Sequence, residues 1–310
     1  MNFPDPNADQ DIWSRWLLQH RFGGDAAREQ RGREAIQRYA DRVLDGCGLA
    51  PGMTLADIGS GDGALAFRAI ERIGPGLRVL LADVSAPLLA HARDLAEQRG
   101  VLGQCSFRQM PAEDLAGMAD ASVDAIAARA VLVYVADKPA ALREFLRVLK
   151  PGGRVSVGEP MLRDDAFETM ALQRLAEQHP LPQTREALSL LHRWRAAQFP
   201  DTLEKTAASP LTNHSERDLL ELFQATGFTD LHLELHIDVR PPTGVAWETF
   251  LACATHPWTP SNGDILDRHF RPAERRMLEG VLRPIVETGS GVATERIVYL
   301  SAGKPAAAAR

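Results

Sequence analysis

Between residues 53 and 157, short apolar runs alternate with stretches whose apolar positions recur every three or four residues. The runs at 54–58, 78–83, 105–109, 123–127 and 153–158 carry the strand pattern. Between them, 88–95 and 140–149 have amphipathic helical spacing, and Lys150-Pro151-Gly152-Gly153 stops the second helix sharply. Regular strand-helix alternation implies parallel strands joined by right-handed crossovers, so the expected fold class is α/β with a doubly wound, mainly parallel sheet. Ligands of such sheets sit beyond the carboxyl ends of the strands, beside the first strand.

The flanks break this rhythm. Residues 1–45 form a helical N-terminal segment, with Ile12, Trp16 and Leu17, then Ile36, Tyr39, Ala40, Val43 and Leu44 at helical intervals and a break at 21–25. Lying before the first strand, this segment packs outside the sheet or folds over the mouth of the site. A core at 46–159 follows. At 160–212 the alternation stops and two helical stretches, 166–178 and 184–198, are bounded by His179-Pro180-Leu181-Pro182 and by Phe199-Pro200. Inserted after a strand's carboxyl end, this segment reads as a helical lid over the substrate. The core resumes over 213–303: Ser215 and Asp218 make a capping signal for a helix to Thr226, strand-like residues 230–237 follow, and 294–300 closes the series. Helical stretches at 247–254, 265–270 and 272–286 are inserted between those two strands, and the tail 304–310 reads as frayed.

Composition narrows the class of function. With 45% hydrophobic and 25% charged residues over 310 positions the chain can bury a large core, and its formal charge of −6 argues against a general nucleic-acid or anionic-membrane surface. Residues 1–6 lack a basic stretch followed by an apolar one, and no apolar run reaches membrane-spanning length, so a cytoplasmic location is expected. Cys47, Cys105 and Cys253 are dispersed and odd in number, which suggests neither a disulfide framework nor a zinc knuckle.

The candidate chemistry gathers at Leu55-Ala56-Asp57-Ile58-Gly59-Ser60-Gly61-Asp62-Gly63, an apolar run that meets three alternate glycines and then takes up helical spacing. Strand, tight turn and helix make a cradle in which the backbone approaches a ligand without a Cβ in the way. A second apolar run, 77–83, ends in Asp83 at the spacing where a carboxylate meets ribose hydroxyls in dinucleotide folds.

These residues resemble the class I S-adenosylmethionine-dependent methyltransferases, over about 40–160 and, more loosely, the terminal strand pair. Asp57 to Gly63 matches the family's glycine motif, Asp83 its ribose-binding acid, and Leu149-Lys150-Pro151-Gly152-Gly153 its signature before the fifth strand. The resemblance implies a Rossmann-like sheet of seven strands, the last inserted antiparallel beside the sixth. It also implies S-adenosylmethionine as cofactor and S-adenosylhomocysteine as product; the N-terminal helical segment and the long lid, which enclose a buried acceptor, point to a small organic molecule, in specialised metabolism. Carried over by residue, Gly59, Ser60, Gly61 and Gly63 pass the methionine moiety and Asp57 lies near its amino group. Asp83 takes the ribose and Val84 packs on adenine. The segment Pro111-Ala112-Glu113-Asp114-Leu115 stands where an acid accepts from the adenine amine; Pro111 occupies the first acidic position, leaving Ala112, Glu113 and Asp114 to make that contact. Arg129 offers its carbonyl to the ligand's amine and its side chain towards substrate.

Methyl transfer from a sulfonium needs in-line alignment and, for some acceptors, a base. Glu159, directly after the fifth strand, is the first candidate for a base or orienting carboxylate, against the reading of an acid that caps or pairs locally. Tyr134, after the fourth strand, can hydrogen-bond substrate or pack in the core. His179 and His192 in the lid offer bases near neutral pH. Trp13 and Trp16 either anchor their segment or line the substrate pocket. Among the lid arginines Arg163, Arg174, Arg185, Arg193 and Arg195, one or two facing the cleft suit an anionic acceptor, Arg193 and Arg195 first. His232, Glu234 and His236 share one strand face but lack a further ligand, so no metal is expected. The N-terminal helices suit pairing into a homodimer. Two other readings stand beside this one. A nicotinamide-dependent oxidoreductase would want the wider Gly-x-Gly-x-x-Gly spacing, and a regulatory protein would hold the cofactor without transferring its methyl.

Overall fold

The computed structural model describes residues 11–306, so the N-terminal stretch 1–6 and the tail beyond 306 lie outside the described residues. Within it the chain divides into two compact units, one made of 33–161, 214–236 and 296–306, the other of 11–32, 162–213 and 237–295.

The first unit is built on a seven-stranded sheet of order β3-β2-β1-β4-β5-β7-β6. Its strands are β1 (Thr54–Ile58), β2 (Arg78–Asp83), β3 (Cys105–Gln109), β4 (Val123–Arg129), β5 (Leu149–Pro160), β6 (Thr229–Arg240) and β7 (Ala293–Gly303). β1 to β5 pair in parallel, and β7 runs antiparallel to β5 with Arg154 opposite Gly303 and Pro160 opposite Ile297. This is the doubly wound sheet with the antiparallel insertion that the sequence implies.

Successive residues of the central strands serve opposite cores, which is why those strands read as continuous apolar runs. Ala56, Ile58, Ile126 and Ala128 face α5 (Lys138–Val148) and α9 (Glu216–Thr226), where Phe145 and Phe223 are fully buried. Leu55, Ala125 and Ala127 face the other way. There they join α2 (Ala26–Cys47), α3 (Ala64–Ile73) and α4 (Ala86–Gln98) through Val43, Leu44, Ala66, Ile70, Leu89 and Ala92. Truncating Phe145 or Phe223 to alanine would cost about 3–5 kcal/mol. The capping box read at Ser215 is present, Ser215 and Asp218 each satisfying the other's backbone amide.

β5 begins at Leu149 rather than 153, because the Gly152 amide donates to the Lys304 carbonyl at 3.0 Å and the Lys304 amide to Gly153 at 2.8 Å. That also corrects the expected fraying at its first residue: Lys304 is held by these bonds and by its ammonium on the Leu149 carbonyl at 2.7 Å.

The second unit gathers three stretches of sequence into one helical body. It contains α1 (Ile12–Arg15), α6 (Arg163–Gln178), α7 (Pro182–Ala196), α8 (Leu203–Ala208), α10 (Trp247–Ala252), α11 (Asn262–His269) and α12 (Pro272–Thr288). Its core joins Leu190, Trp247, Ile265, Leu266, Leu278 and Leu282, with Trp247 stacked on Phe250 at 5.0 Å. α1 runs into a π turn over Trp16–His20, and the chain then turns at Gly23, where φ is +63° and a Cβ would lie 2.5 Å from the Thr249 carbonyl oxygen. The helix α8, absent from the sequence reading, is too short to show a period and is announced only by Thr202, whose hydroxyl accepts from the Lys205 amide.

Candidate functional site

The glycine turn occupies the carboxyl end of β1. Gly59, Gly61 and Gly63 all have left-handed φ values, +66°, +55° and +79°, which cost other residues about 1–2 kcal/mol each. A Cβ on Gly59 would lie 2.4 Å from a methyl of Val131, and one on Gly63 would lie 2.7 Å from the Phe67 ring. The turn is tied to the next strand by the amides of Gly59 and Ser60, which both donate to the Ala82 carbonyl at 2.7 and 3.0 Å.

Asp83 closes the turn from β2. Its carboxylate accepts the Gly61 amide at 2.8 Å and the Ser85 amide at 2.9 Å, one on each oxygen. Ser85 then caps α4 by accepting the Leu88 amide, leaving Val84 between them with its side chain 39% exposed. Ser60 lies in the middle of the turn, and its buried hydroxyl has no hydrogen-bond partner among the described residues. An orphaned polar atom inside a backbone cradle fits a ligand that supplies the missing partner.

Asp57 ends the same strand just below. It is 1% exposed, accepts the Ala66 amide at 3.0 Å, and burial pushes its carboxyl up to about 8, while that amide and the Arg129 charge pull the other way. Arg129, half-buried at the end of β4, belongs to the same charge group.

On the neighbouring segment Ala112 is buried and Glu113 half-buried. Asp114 is exposed and accepts the Ala116 amide at 3.0 Å, so it closes a local turn and Glu113 is the acid left without such a bond.

Past β4 the chain kinks at Ala130, whose φ is +54° and whose amide donates to the Gly158 carbonyl. The kink converges three amides on Glu159. Val131 and Leu132 donate to Oε1 at 3.1 Å each, and Val133 donates to Oε2 at 3.0 Å. Glu159 is fully buried, and burial raises its carboxyl above the ordinary value in spite of those amides. Of the two readings of Glu159, this geometry is that of the capping acid. Tyr134 follows this turn, half-buried.

One group near the turn was not legible in the sequence. Lys138 is 4% exposed, donates to the Val135 carbonyl at 3.1 Å, and burial lowers its ammonium to about 8 against the pull of Glu159 and Glu113. A lysine between a capping aspartate and a proline gives no sequence signal of burial.

The remaining candidates belong to the helical unit and have local partners there. Trp13 lies edge-on to Trp258 at 6.4 Å, and the Trp16 indole donates to the Ala254 carbonyl at 3.0 Å. The ring of His179, half-buried, accepts the Leu181 amide, and His192 faces Asp201 at 3.7 Å. Arg193 is committed to Glu274, to the His269 carbonyl and to the Phe270 ring, and Arg195 pairs with Asp165 and covers Phe199. Among the described residues no group of His, Cys, Asp and Glu could hold a metal ion, and no helix is long and apolar enough to cross a membrane.

Comparison with known proteins joins this geometry to a family. Residues 49–226, more than half of the chain, match the model of a methyltransferase domain. A ubiquinone/menaquinone biosynthesis C-methyltransferase from Idiomarina loihiensis is 40% identical over 117 residues, 38% of this chain and 46% of that protein. Nocamycin O-methyltransferase from Saccharothrix syringae is 33% identical over 162 residues, 48% of this chain and 57% of that one. The matched stretch thus spans about half the length of these curated relatives. Among solved structures, the [4+2]-cyclase SpnF has a TM-score of 0.52 at 23% identity, covering 93% of this chain and 88% of that one. The YcgJ protein from Bacillus subtilis has a TM-score of 0.54 at 16% identity, covering 86% and 98%, and both likenesses are of fold. By its matched domain, its seven-stranded sheet and its glycine turn, the chain belongs to the methyltransferase-domain family, with the fold of the class I S-adenosylmethionine-dependent enzymes.

Proposed function

We propose that this chain binds S-adenosylmethionine in the turn between β1 and α3 and transfers its methyl group to a small organic molecule. The observation that carries the reading is the Ser60 hydroxyl, buried and unsatisfied inside a turn of left-handed glycines that Asp83 holds closed. S-adenosylmethionine, when bound, supplies a methyl already activated on a sulfonium sulfur. The chain's own part is to bind and align. Asp83 accepts from the ribose hydroxyls, and Val84 gives an apolar surface to adenine. Glu113 takes the adenine amine because Asp114 is occupied by its own turn. Asp57, steadied by Arg129, meets the ligand's amino group.

On the acceptor side the reading gives Glu159 the holding of the Val131–Val133 amides, and Tyr134 the orienting of substrate through its hydroxyl. The relatives' activities, C- and O-methylation, put carbon and oxygen acceptors first in a screen. The proposal extends to a cytoplasmic location, in keeping with three free cysteines, and to a homodimer, read by sedimentation.

The test is calorimetric titration with S-adenosylhomocysteine and, in parallel, NADH, followed by transfer of labelled methyl to a panel of small acceptors. Tight binding of the first alone, with turnover, supports the reading. Binding of NADH instead would reassign the turn to an oxidoreductase. Cofactor binding with no transfer across the panel would favour a protein that holds the cofactor without using it.

A further inference from the structure

The sheet unit carries a pocket of about 400 Å³ on the face that α2 shares with β5, β7 and β6. Alternation along the strands brings Arg154 and Ser156 of β5, Tyr299 and Ser301 of β7, and His232 and Glu234 of β6 to one wall, while Arg42 and Asp45 of α2 make the other. Arg154 pairs with Ala125, three residues before Ala128, whose own neighbour Ile58 directly precedes the glycine turn. At about 3.3 Å per residue the pocket lies roughly 10 Å or more back along the strands from that turn. None of the residues proposed to hold S-adenosylmethionine lines it.

Two arginines, Arg42 and Arg154, and two carboxylates, Asp45 and Glu234, line this pocket, but they are not all paired with one another. Asp45 is taken by Arg72 at 2.6 Å. Glu234 is shared between His236 at 2.7 Å, His232 at 3.1 Å and Arg42 at 3.5 Å. Arg154 has no carboxylate within ion-pair distance among the described residues; its Nε donates to the Gly46 carbonyl at 3.0 Å and its Nη2 to the Ser301 hydroxyl at 3.4 Å. Beside it Ser156, only 2% exposed, also lines the pocket. A Cβ at Gly46 would lie 2.5 Å from the Ser156 hydroxyl, so the glycine keeps the space over it open. A guanidinium with no carboxylate partner among the described residues and a nearly buried hydroxyl in one cavity suit the same thing, an oxygen acceptor carrying negative charge.

We propose that this pocket binds the oxyanion of a small organic acid, carboxylate or phosphomonoester, at a site separate from that of S-adenosylmethionine. Arg154 supplies the charge and a forked pair of donors, and Ser156 gives a further hydrogen bond. His232, whose side chain is 70% exposed, stands at the edge of the pocket, where the body of the ligand extends. The size suits more than a bare ion, since cavities of roughly 300 Å³ upward accommodate small metabolites.

Equilibrium dialysis of the full chain with inorganic phosphate and, separately, acetate, at constant ionic strength set with sodium chloride, tests this. Saturable binding of one or both probes at one site per chain is expected; phosphate alone identifies a phosphomonoester ligand and acetate alone a carboxylate. Arg154→Gln should weaken the bound probe by about tenfold or more, as loss of a charge-assisted pair does, with S-adenosylhomocysteine affinity unchanged. Ser156→Ala should weaken it less and leaves the Arg154 bonds to Gly46 and Ser301 in place, which keeps the test sound if Arg154→Gln unfolds. Absence of saturable binding for both probes, or binding untouched by Ser156→Ala and by a folded Arg154→Gln, overturns the proposal.

Discussion

The Asp83 carboxylate accepts the Gly61 amide at 2.8 Å, so the acid at the end of β2 and the turn at the end of β1 are one hydrogen-bonded unit. Removing the acid therefore loosens the cradle and takes away ligand contacts together. Asp83→Ala should lower S-adenosylhomocysteine affinity by about 10- to 100-fold, the scale of one or two lost charge-assisted hydrogen bonds, and Asp83→Asn by less. Titration calorimetry reads both. Wild-type affinity in Asp83→Ala would remove the acid from the site.

Asp57 gives a proton signature. With its carboxyl raised to about 8 by burial, it is mostly protonated at pH 7 in the free protein. A ligand amino group beside it favours the ionised form, so binding of S-adenosylhomocysteine at pH 7 should release nearly one proton, and almost none at pH 9. Calorimetry in buffers of different ionisation enthalpy counts that proton. Asp57→Asn should abolish the release; an unchanged release in that variant would place its source elsewhere.

Glu159 holds three amides with two oxygens, and Val131 of that turn touches the space over Gly59. Glu159→Ala leaves three buried donors unsatisfied and should cost about 3 kcal/mol or more of stability, while Glu159→Gln, which turns one acceptor into a donor, should cost about 1–3 kcal/mol. Its carboxyl is raised in the fold, so the stability linked to this proton is full below pH 4.5 and declines as pH rises through the raised value. Urea unfolding across acidic pH should show that decline in the wild type and not in Glu159→Gln. Loss of methyl transfer in a Glu159→Gln protein of unaltered stability and cofactor affinity would restore the base reading.

What the sequence made legible was local. Gly59, Gly61 and Gly63 declare left-handed backbone by their identity, Asp83 declares itself by its distance from them, and Ser215 and Asp218 cap each other three residues apart. The alternation of apolar residues sufficed for strands buried on both faces, such as β1 and β4. Residues whose roles depend on partners far along the chain were not legible. Arg193 looks free until α12 brings Glu274 to it, and Glu159 looks like an exposed acid until the kink at Ala130 turns three amides onto it. The same holds for the Arg154 pocket: His232, Glu234 and His236 could be assigned one strand face, but not the arginine and serine that share it.

Lys138 allows the burial of a charge to be measured directly. Burial lowers its ammonium from 10.5 to about 8, so the folded state releases this proton at lower pH than the unfolded chain does. Between those values the unfolded state binds more protons, and stability should climb with pH. The contribution is fully present above 10.5 and is lost as pH falls through about 8. The span corresponds to about 3 kcal/mol at most. Other groups titrate in this range, including Cys47, whose thiol burial raises to about 12, so the useful quantity is the difference between wild type and Lys138→Met in urea unfolding at pH 8, 9 and 10. Methionine keeps the apolar stem and removes the charge, so the variant should gain on the wild type as pH falls towards 8 and the two should converge above pH 10. Parallel curves would mean that the Val135 carbonyl and the acids Glu159 and Glu113 compensate the buried ammonium in full, leaving no penalty for the fold to carry.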